Sequence, residues 1–444
     1  MSGFDGTTDI YLASAGTGKT HQLMDIIDMH LKEGVPIDRI AFVTFTKKGA
    51  EVAQLRTAEQ FGFPLNRLKN FRTIHSMAFR GCGASRDMMM DYPKYKDFGE
   101  KAGYNFGHVG LNTTEGIDWN EMKDQQLITV EQLYRNNRQM CEKVMESRVD
   151  YKDLVMYIQL YKQYKNTFGY KDFTDLLEDY IAKGLNEDVD IVCLDEMQDS
   201  SVLQWQLVFQ AFRNAKHIYV AADIKQAVFT YAGASPETVL KLRGNQHMLD
   251  VSYRVPSNIL AFAQNIVDEM ELTDHSRCKA IKQGGEVQEL VSIDELTEYF
   301  DVNKSYFFLA RNKKFFKLFI EWCEEQGLPY KITGEPIFTQ TEKMEFREGK
   351  TSHWDPKKLD FARLCYKHNV FYKEPNINIS TIHTVKGDEA DVVVLLSDIS
   401  KAVESQLDID PDSEHRVFYV AITRAKEKLF IIQPQTSRFY PYIL

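Results

Sequence analysis

Four apolar runs organise the first half of the chain, the last three of them closing on polar residues: DIYLA (residues 9–13), RIAFVTFT (39–46), DIVCLDE (190–196) and HIYVAAD (217–223). A strand that is apolar at successive positions has both faces buried, which points to a parallel sheet covered by helices. Residues 21–31 place their apolar side chains at helical spacing instead, so the N-terminal region reads as strand, glycine-rich turn and helix. In open sheets of this kind ligands bind at the carboxyl ends of the strands.

Between Cys82 and Lys171 charged and aromatic residues mix at helical spacing with no strand-like run, which predicts a helical insertion. A second alternating series begins after Tyr253. It runs through a helix from Ser257, the strand SYFFLA (305–310), a helix over 314–326, the strands NINIS (376–380) and DVVVLL (391–396), a helix from Glu414 and the strand KLFII (428–432). Residues 333–358 are polar without a clear period and read as a loop or small insertion. The expected division is therefore a first α/β domain over 1–82 and 171–252, a helical insertion over 83–170, and a second α/β domain over 253–444 with a small insertion near 333–375.

The length of 444 residues suits several domains, and the net charge of -10 excludes a protein that coats nucleic acid by bulk attraction, while leaving room for a local basic groove. Six cysteines stand far apart with no metal-ligand spacing, and are expected to be reduced. With no apolar stretch of about 18 residues and no signal-like start in MSGFDGTTDI, the expectation is a cytoplasmic protein without a membrane segment, in a bacterial cell or in host cytoplasm if viral.

ASAGTGKT (13–20) fits a phosphate-binding loop, with Ala13 in place of the first glycine. In such a loop the backbone N–H groups from Ala15, Gly16, Thr17 and Gly18 turn towards phosphate, Lys19 reaches the β and γ phosphates and the Thr20 hydroxyl can ligate Mg²⁺. A glycine turn that binds nothing is the bland alternative, disfavoured by the strand before and the helix after. CLDEMQD (193–199) ends a buried strand on carboxylates: Asp195 suits a metal, and Glu196 suits the base that orients an attacking water. Alone, the acidic pair would read as a solvated strand end.

These motifs, with VTFTKKGAE (43–51), TIHSMAF (73–79), DFTDLL (172–177), AADIKQAVFTYAGA (221–234), SYRVPSNI (252–259), STIHTVKGDEADVVVL (380–395) and FYVAITRAKEKL (418–429), resemble the UvrD/Rep-type superfamily 1 DNA helicases, in the family's order and over almost the whole chain. The resemblance implies an α/β fold of two RecA-like P-loop NTPase domains with parallel sheets, the helical insertion lying in the first. It implies ATP and Mg²⁺ as cofactors. It also implies that Gln226 senses the γ-phosphate, that Arg254 and Arg424 neutralise developing charge, that Glu389 binds the ribose, and that Tyr253 stacks on the base. Phe45, His75, Phe229, Tyr231 and His383 would line a single-strand track, with Lys47, Lys48 and Lys386 beside it. The implied activity is an ATP-dependent helicase that moves 3′ to 5′ on single-stranded DNA and unwinds tailed duplex. Two rivals are a translocase that strips bound proteins with little unwinding, and a nucleotide-switched DNA-binding module.

Three departures from the family pattern shape the expectation. The twelve residues ahead of Ala13 hold no glutamine-containing adenine segment, and His21 stands where an arginine commonly faces the base, so the base is expected to be held more loosely than the phosphates. Tyr231 and Ala232 replace a tryptophan or phenylalanine and an arginine, which is expected to alter the coupling of DNA to hydrolysis. The stretch between Tyr330 and STIHTVKG is short, so the large accessory insertion of the second domain is expected to be absent or vestigial.

Overall fold

The computed structural model describes residues 4–106, 123–139, 141, 150–274 and 276–444. The chain forms two compact units, Met1–Val251 together with Leu272–Cys278, and Ser252–Glu271 together with Lys279–Leu444. Thus seven residues that follow the first helix of the second unit return to the first.

In the first unit, β1 (Thr7–Ala13), β2 (Ile40–Thr44), β3 (Phe71–Thr73), β4 (Ile191–Asp195), β5 (His217–Ala222) and β6 (Asn245–Leu249) form one sheet in the order β3-β2-β4-β5-β1-β6. Every pairing in it is parallel. Alternation explains why the central strands are apolar at every position. Ile40, Phe42, Ile191, Cys193, Tyr219 and Ala221 face one core with Leu23 and Ile27 of α1 (Lys19–Lys32) and Ala53 of α2 (Lys47–Phe61). The intervening Ala41, Val43, Val192, Leu194, Ile218 and Val220 face a second core with α3 (Ile74–Gly81) and Trp205. The sheet is parallel and covered on both faces, as the apolar runs require.

The helices α4 (Tyr92–Ala102), α5 (Lys123–Asn136) and α6 (Tyr151–Phe168) share a core of their own, built from Tyr95, Phe98, Leu133, Tyr157 and Tyr161. Of the expected insertion, residues 107–122, 140 and 142–149 lie outside the described residues. The following helix α7 (Phe173–Ala182) opens on a capping box in which Asp172 and Asp175 exchange hydrogen bonds with each other's backbone.

The second unit carries β7 (Glu286–Leu290), β8 (Tyr306–Ala310), β9 (Tyr330–Ile332), β10 (Glu335–Pro336), β11 (Ile377–Thr381), β12 (Ala390–Leu396) and β13 (Ala425–Ile432). Their order is β10-β9-β11-β8-β12-β13-β7, parallel except for the β9–β10 edge pair. Phe308, Ile377, Ile379, Val392, Val394 and Phe430 pack on Phe319 and Trp322 in its core. The stretch 333–358, read from sequence as a loop or small insertion, contains the helix Gln340–Glu348 and the first residues of a second helix, Pro356–Lys367. Capping places them where periodicity does not: Thr339 and Glu342 form a capping box, and Asp355 accepts from the N–H groups of Lys357 and Lys358.

Candidate functional site

Strand β1 ends at Ala13 and α1 begins at Lys19, so the loop between them lies at the carboxyl edge of the sheet. Gly16 and Gly18 have φ of 73° and 80°, in the left-handed region that glycine enters without a Cβ penalty. The Thr17 hydroxyl donates to the Ser14 carbonyl at 3.0 Å and closes the loop on itself. No side chain caps the N-terminus of α1, the end of a helix at which backbone N–H groups and the dipole favour an anion.

Five side chains expected at the phosphates, those of Lys19, Thr20, Asp195, Glu196 and Gln226, meet there. The Thr20 hydroxyl donates to Asp195 Oδ2 at 2.8 Å. Lys19 Nζ lies 3.5 Å from Glu196 Oε1 and 3.8 Å from Asp223 Oδ2. Burial raises the Asp195 carboxyl to about 6, with the adjacent Glu196 charge adding to the effect, while Lys19 and the Thr20 hydroxyl oppose it. Glu196 holds φ of 55°, a strained conformation for a residue with a Cβ, just past the end of β4. Strain of this kind persists where surrounding contacts over-determine it, and here the Gln198 amide donates to Glu196 Oε2 while accepting from the Asp223 N–H at 3.0 Å. Gln226 donates through Nε2 to Asp223 Oδ2 at 2.5 Å, so Asp223 joins the lysine and the glutamine. Burial also raises the Asp223 carboxyl.

Asp223 and Gln198 were not singled out from the sequence. Asp223 carried a signal, since it ends a buried parallel strand as Asp195 does. Gln198 carried none, because its role lies in bridging two strand ends.

Thr20 and Asp195 fit a magnesium ion: both offer hard oxygen donors, the carboxylate is buried at 4% exposure, and Mg²⁺ completes its shell with phosphate oxygens and water. His21 sits on the first turn of α1 with its side chain 81% exposed, 3.7 Å from Asp25. Ala15 is fully buried.

Three aromatic residues cluster beyond the ends of β2 and β5. Phe45 stacks on Phe229 with ring centroids 5.2 Å apart, and Phe229 meets Tyr231 at 6.2 Å. His75 meets the edge of Phe173, and burial lowers its imidazole to about 4. Lys47 and Lys48 are exposed at the start of α2.

In the second unit Arg254 lies 3.7 Å from Glu389, and Tyr253 is 61% exposed. Arg424 is buried and donates to the carbonyls of Val420 at 3.0 Å and Asp388 at 3.2 Å. His383 is buried, which keeps its imidazole neutral, and the Lys386 N–H donates to its carbonyl at 3.3 Å.

A glycine loop at a helix N-terminus after β1, with an acidic pair at the end of β4, one strand removed from it in the same parallel sheet, defines a P-loop nucleotide-binding protein. Residues 5–247 match the model of the UvrD/REP helicase N-terminal domain and residues 359–436 that of the UvrD-like helicase C-terminal domain. The chain belongs to the UvrD/Rep helicase family.

Among curated relatives, the ATP-dependent DNA helicase Rep of Escherichia coli is 24% identical over 74% of this chain and 53% of its own length. A probable DNA helicase of Mycoplasma pneumoniae is 22% identical over 99% of this chain and 83% of its own. The chain thus spans about half the length of the Rep proteins it matches. A solved structure described as that of the PRRSV helicase superposes with a TM-score of 0.38 at 11% identity, over 98% of this chain and 54% of that one, too loosely to add to the family match. Among the described residues no helix is long and apolar enough to cross a membrane.

Proposed function

We propose that the chain is an ATP-dependent DNA helicase that moves 3′ to 5′ on single-stranded DNA and unwinds tailed duplex. The convergence of Lys19, Thr20, Asp195, Glu196, Asp223 and Gln226 on the phosphate loop is the observation that carries this reading.

Without nucleotide, Lys19 rests between two carboxylates; triphosphate draws it away onto the β and γ oxygens. Glu196, released from the lysine and still held by Gln198, takes the proton of an attacking water. Gln226 senses the γ-phosphate beside Asp223. Magnesium held by Thr20 and Asp195 would neutralise phosphate charge. Arg254 and Arg424 supply fixed positive charge to the transferring phosphoryl group, a contribution of about 10³ to 10⁵ in rate for an arginine finger. Glu389 binds the ribose and Tyr253 stacks on the base, with His21 facing it loosely. Phe45, Phe229 and Tyr231 offer stacking faces to successive bases, and by the family resemblance His75, His383 and Lys386 also contact the strand.

The test is strand displacement on partial duplexes with a 3′ or a 5′ tail, in several nucleotides, beside a protein-removal assay. Unwinding from 3′ tails supports the proposal, and relaxed nucleotide preference is expected from the exposed His21. Removal of bound protein without unwinding of any tailed duplex would sink the helicase reading in favour of the translocase. ATP turnover that single-stranded DNA leaves unchanged would favour the nucleotide-switched module.

A further inference from the structure

Next to Gln226 stands a lysine that is almost absent from the surface. Lys225 is 1% exposed, and its ammonium donates to Ser14 Oγ at 3.1 Å, Asp274 Oδ1 at 2.6 Å and Ser276 Oγ at 2.8 Å. Three donors thus meet three acceptors, which accounts for every proton of the group. Ser14 is the first residue after β1, and its carbonyl already accepts the Thr17 hydroxyl, so it forms the entry post of the phosphate loop. Asp274 and Ser276 belong to Leu272–Cys278, the strap that packs in the first unit although the chain on either side of it belongs to the second. Asp274 also shapes the strap, since its Oδ1 accepts from the N–H of Ser276 at 3.0 Å and from its hydroxyl at 2.8 Å. The other oxygen, Oδ2, is buried without a hydrogen-bond partner, which leaves Lys225 as the charge that justifies burying this carboxylate.

We infer that Lys225 is a positioning residue that latches the phosphate loop to this strap, so that the loop's nucleotide-ready shape and the docking of the strap are one equilibrium. The inference rests on the nucleotide reading of the loop. Both ends of the strap are covalently continuous with the second unit, which makes it a tether through which that unit can act on Ser14. Linkage makes the effect reciprocal: if the docked strap favours nucleotide, bound nucleotide must favour the docked strap by the same factor.

Two arms test this on the full chain. Hydrogen exchange of residues 272–278 is followed with and without saturating Mg²⁺ and a fluorescent ADP analogue, and that analogue is titrated into wild type and a Lys225→Met/Asp274→Leu double variant. Removing both charges together avoids stranding one of them, and apolar replacement of a buried pair is often neutral for folding. The expected result is slowing of strap exchange by at least about fivefold in wild type, with a matching loss of nucleotide affinity in the variant at unchanged Tm. Strap exchange indifferent to nucleotide, or a folded variant that binds as wild type does, overturns the latch. Should the variant fail to fold, the wild-type exchange arm decides alone. A wild type that does not bind the analogue at all defeats the nucleotide reading together with the latch, whereas binding with an unresponsive strap defeats the latch only.

Discussion

Burial sets the behaviour of Asp195 more than any neighbour does. Its carboxyl is raised to about 6 from an ordinary 3.8, so without metal the folded chain holds a proton there more tightly than the unfolded chain. The linkage sign follows: the contribution to stability is whole below about 3.8 and is lost as pH rises through about 6. Asp195→Asn is therefore expected to raise the Tm of the nucleotide-free protein at pH 8 and to leave it nearly unchanged at pH 4. The same substitution removes the carboxylate proposed to hold Mg²⁺, so hydrolysis is expected to fall severely at every pH. Thermal scans at the two pH values check the first expectation, and a wild type that is the more stable partner at pH 8 would refute it. Lys19 gives a cleaner separation of chemistry from fold. Its ammonium lies 3.5 Å and 3.8 Å from Glu196 and Asp223 and fills no core position. Lys19→Ala should abolish ATP turnover and leave circular dichroism unchanged; normal turnover would place the active site elsewhere.

At the level of elements, a strand was legible in the sequence when both its faces are buried. RIAFVTFT predicts 39–46 and β2 covers Ile40–Thr44, and DVVVLL is β12 less one residue. Edge strands were not legible, because a single partner and an open face remove the need for an apolar run: β6 reads NQHML and is exposed at four of its five positions. The site followed a similar rule. Lys19, Thr20, Asp195 and Glu196 are recognisable because a loop and a strand end carry them in fixed spacing, while the Gln198–Asp223 and Lys225–Asp274 contacts form only through tertiary packing. DFTDLL shows a motif whose structural part the sequence left blank. Asp172 is buried, accepts from Lys165 Nζ at 2.6 Å and Tyr161 Oη at 3.1 Å, and shares Arg135 with Asp175. It thereby ties α5 and α6 to the start of α7. Asp172→Ala removes a cap and one of the carboxylates that hold Lys165 and Arg135, which keep Asp175 as a partner, at an expected cost of about 2 kcal/mol. The loss should be read as faster hydrogen exchange in α5 and α6, with the amides of β4 and β5 unaffected; uniform protection across all of them would argue against the tie.

For the whole molecule, the net charge of -10 and the aromatic trio make opposite demands on DNA binding. An acidic body repels a phosphate backbone at long range, so affinity has to come from short-range stacking and a few local cations. Stacking contributes about 1 to 3 kcal/mol per base and depends little on salt, whereas each phosphate neutralised on a single strand adds about 0.7 to the slope of log affinity against log salt. Three cations belong to the proposed track, Lys47, Lys48 and Lys386, so the expected slope is shallow, about -2. Phe229→Ala should weaken binding of single-stranded DNA by about 5-fold to 150-fold at every salt concentration and leave the slope unchanged, since it removes a stacking face and no charge. Lys48→Ala should instead flatten the slope by about 0.7. Fluorescence anisotropy with a short labelled oligonucleotide over a range of salt measures all three. A wild-type slope much steeper than this, or a Phe229→Ala variant with undiminished affinity, would mean that a larger basic surface elsewhere in the chain holds the strand and that the trio packs for stability alone.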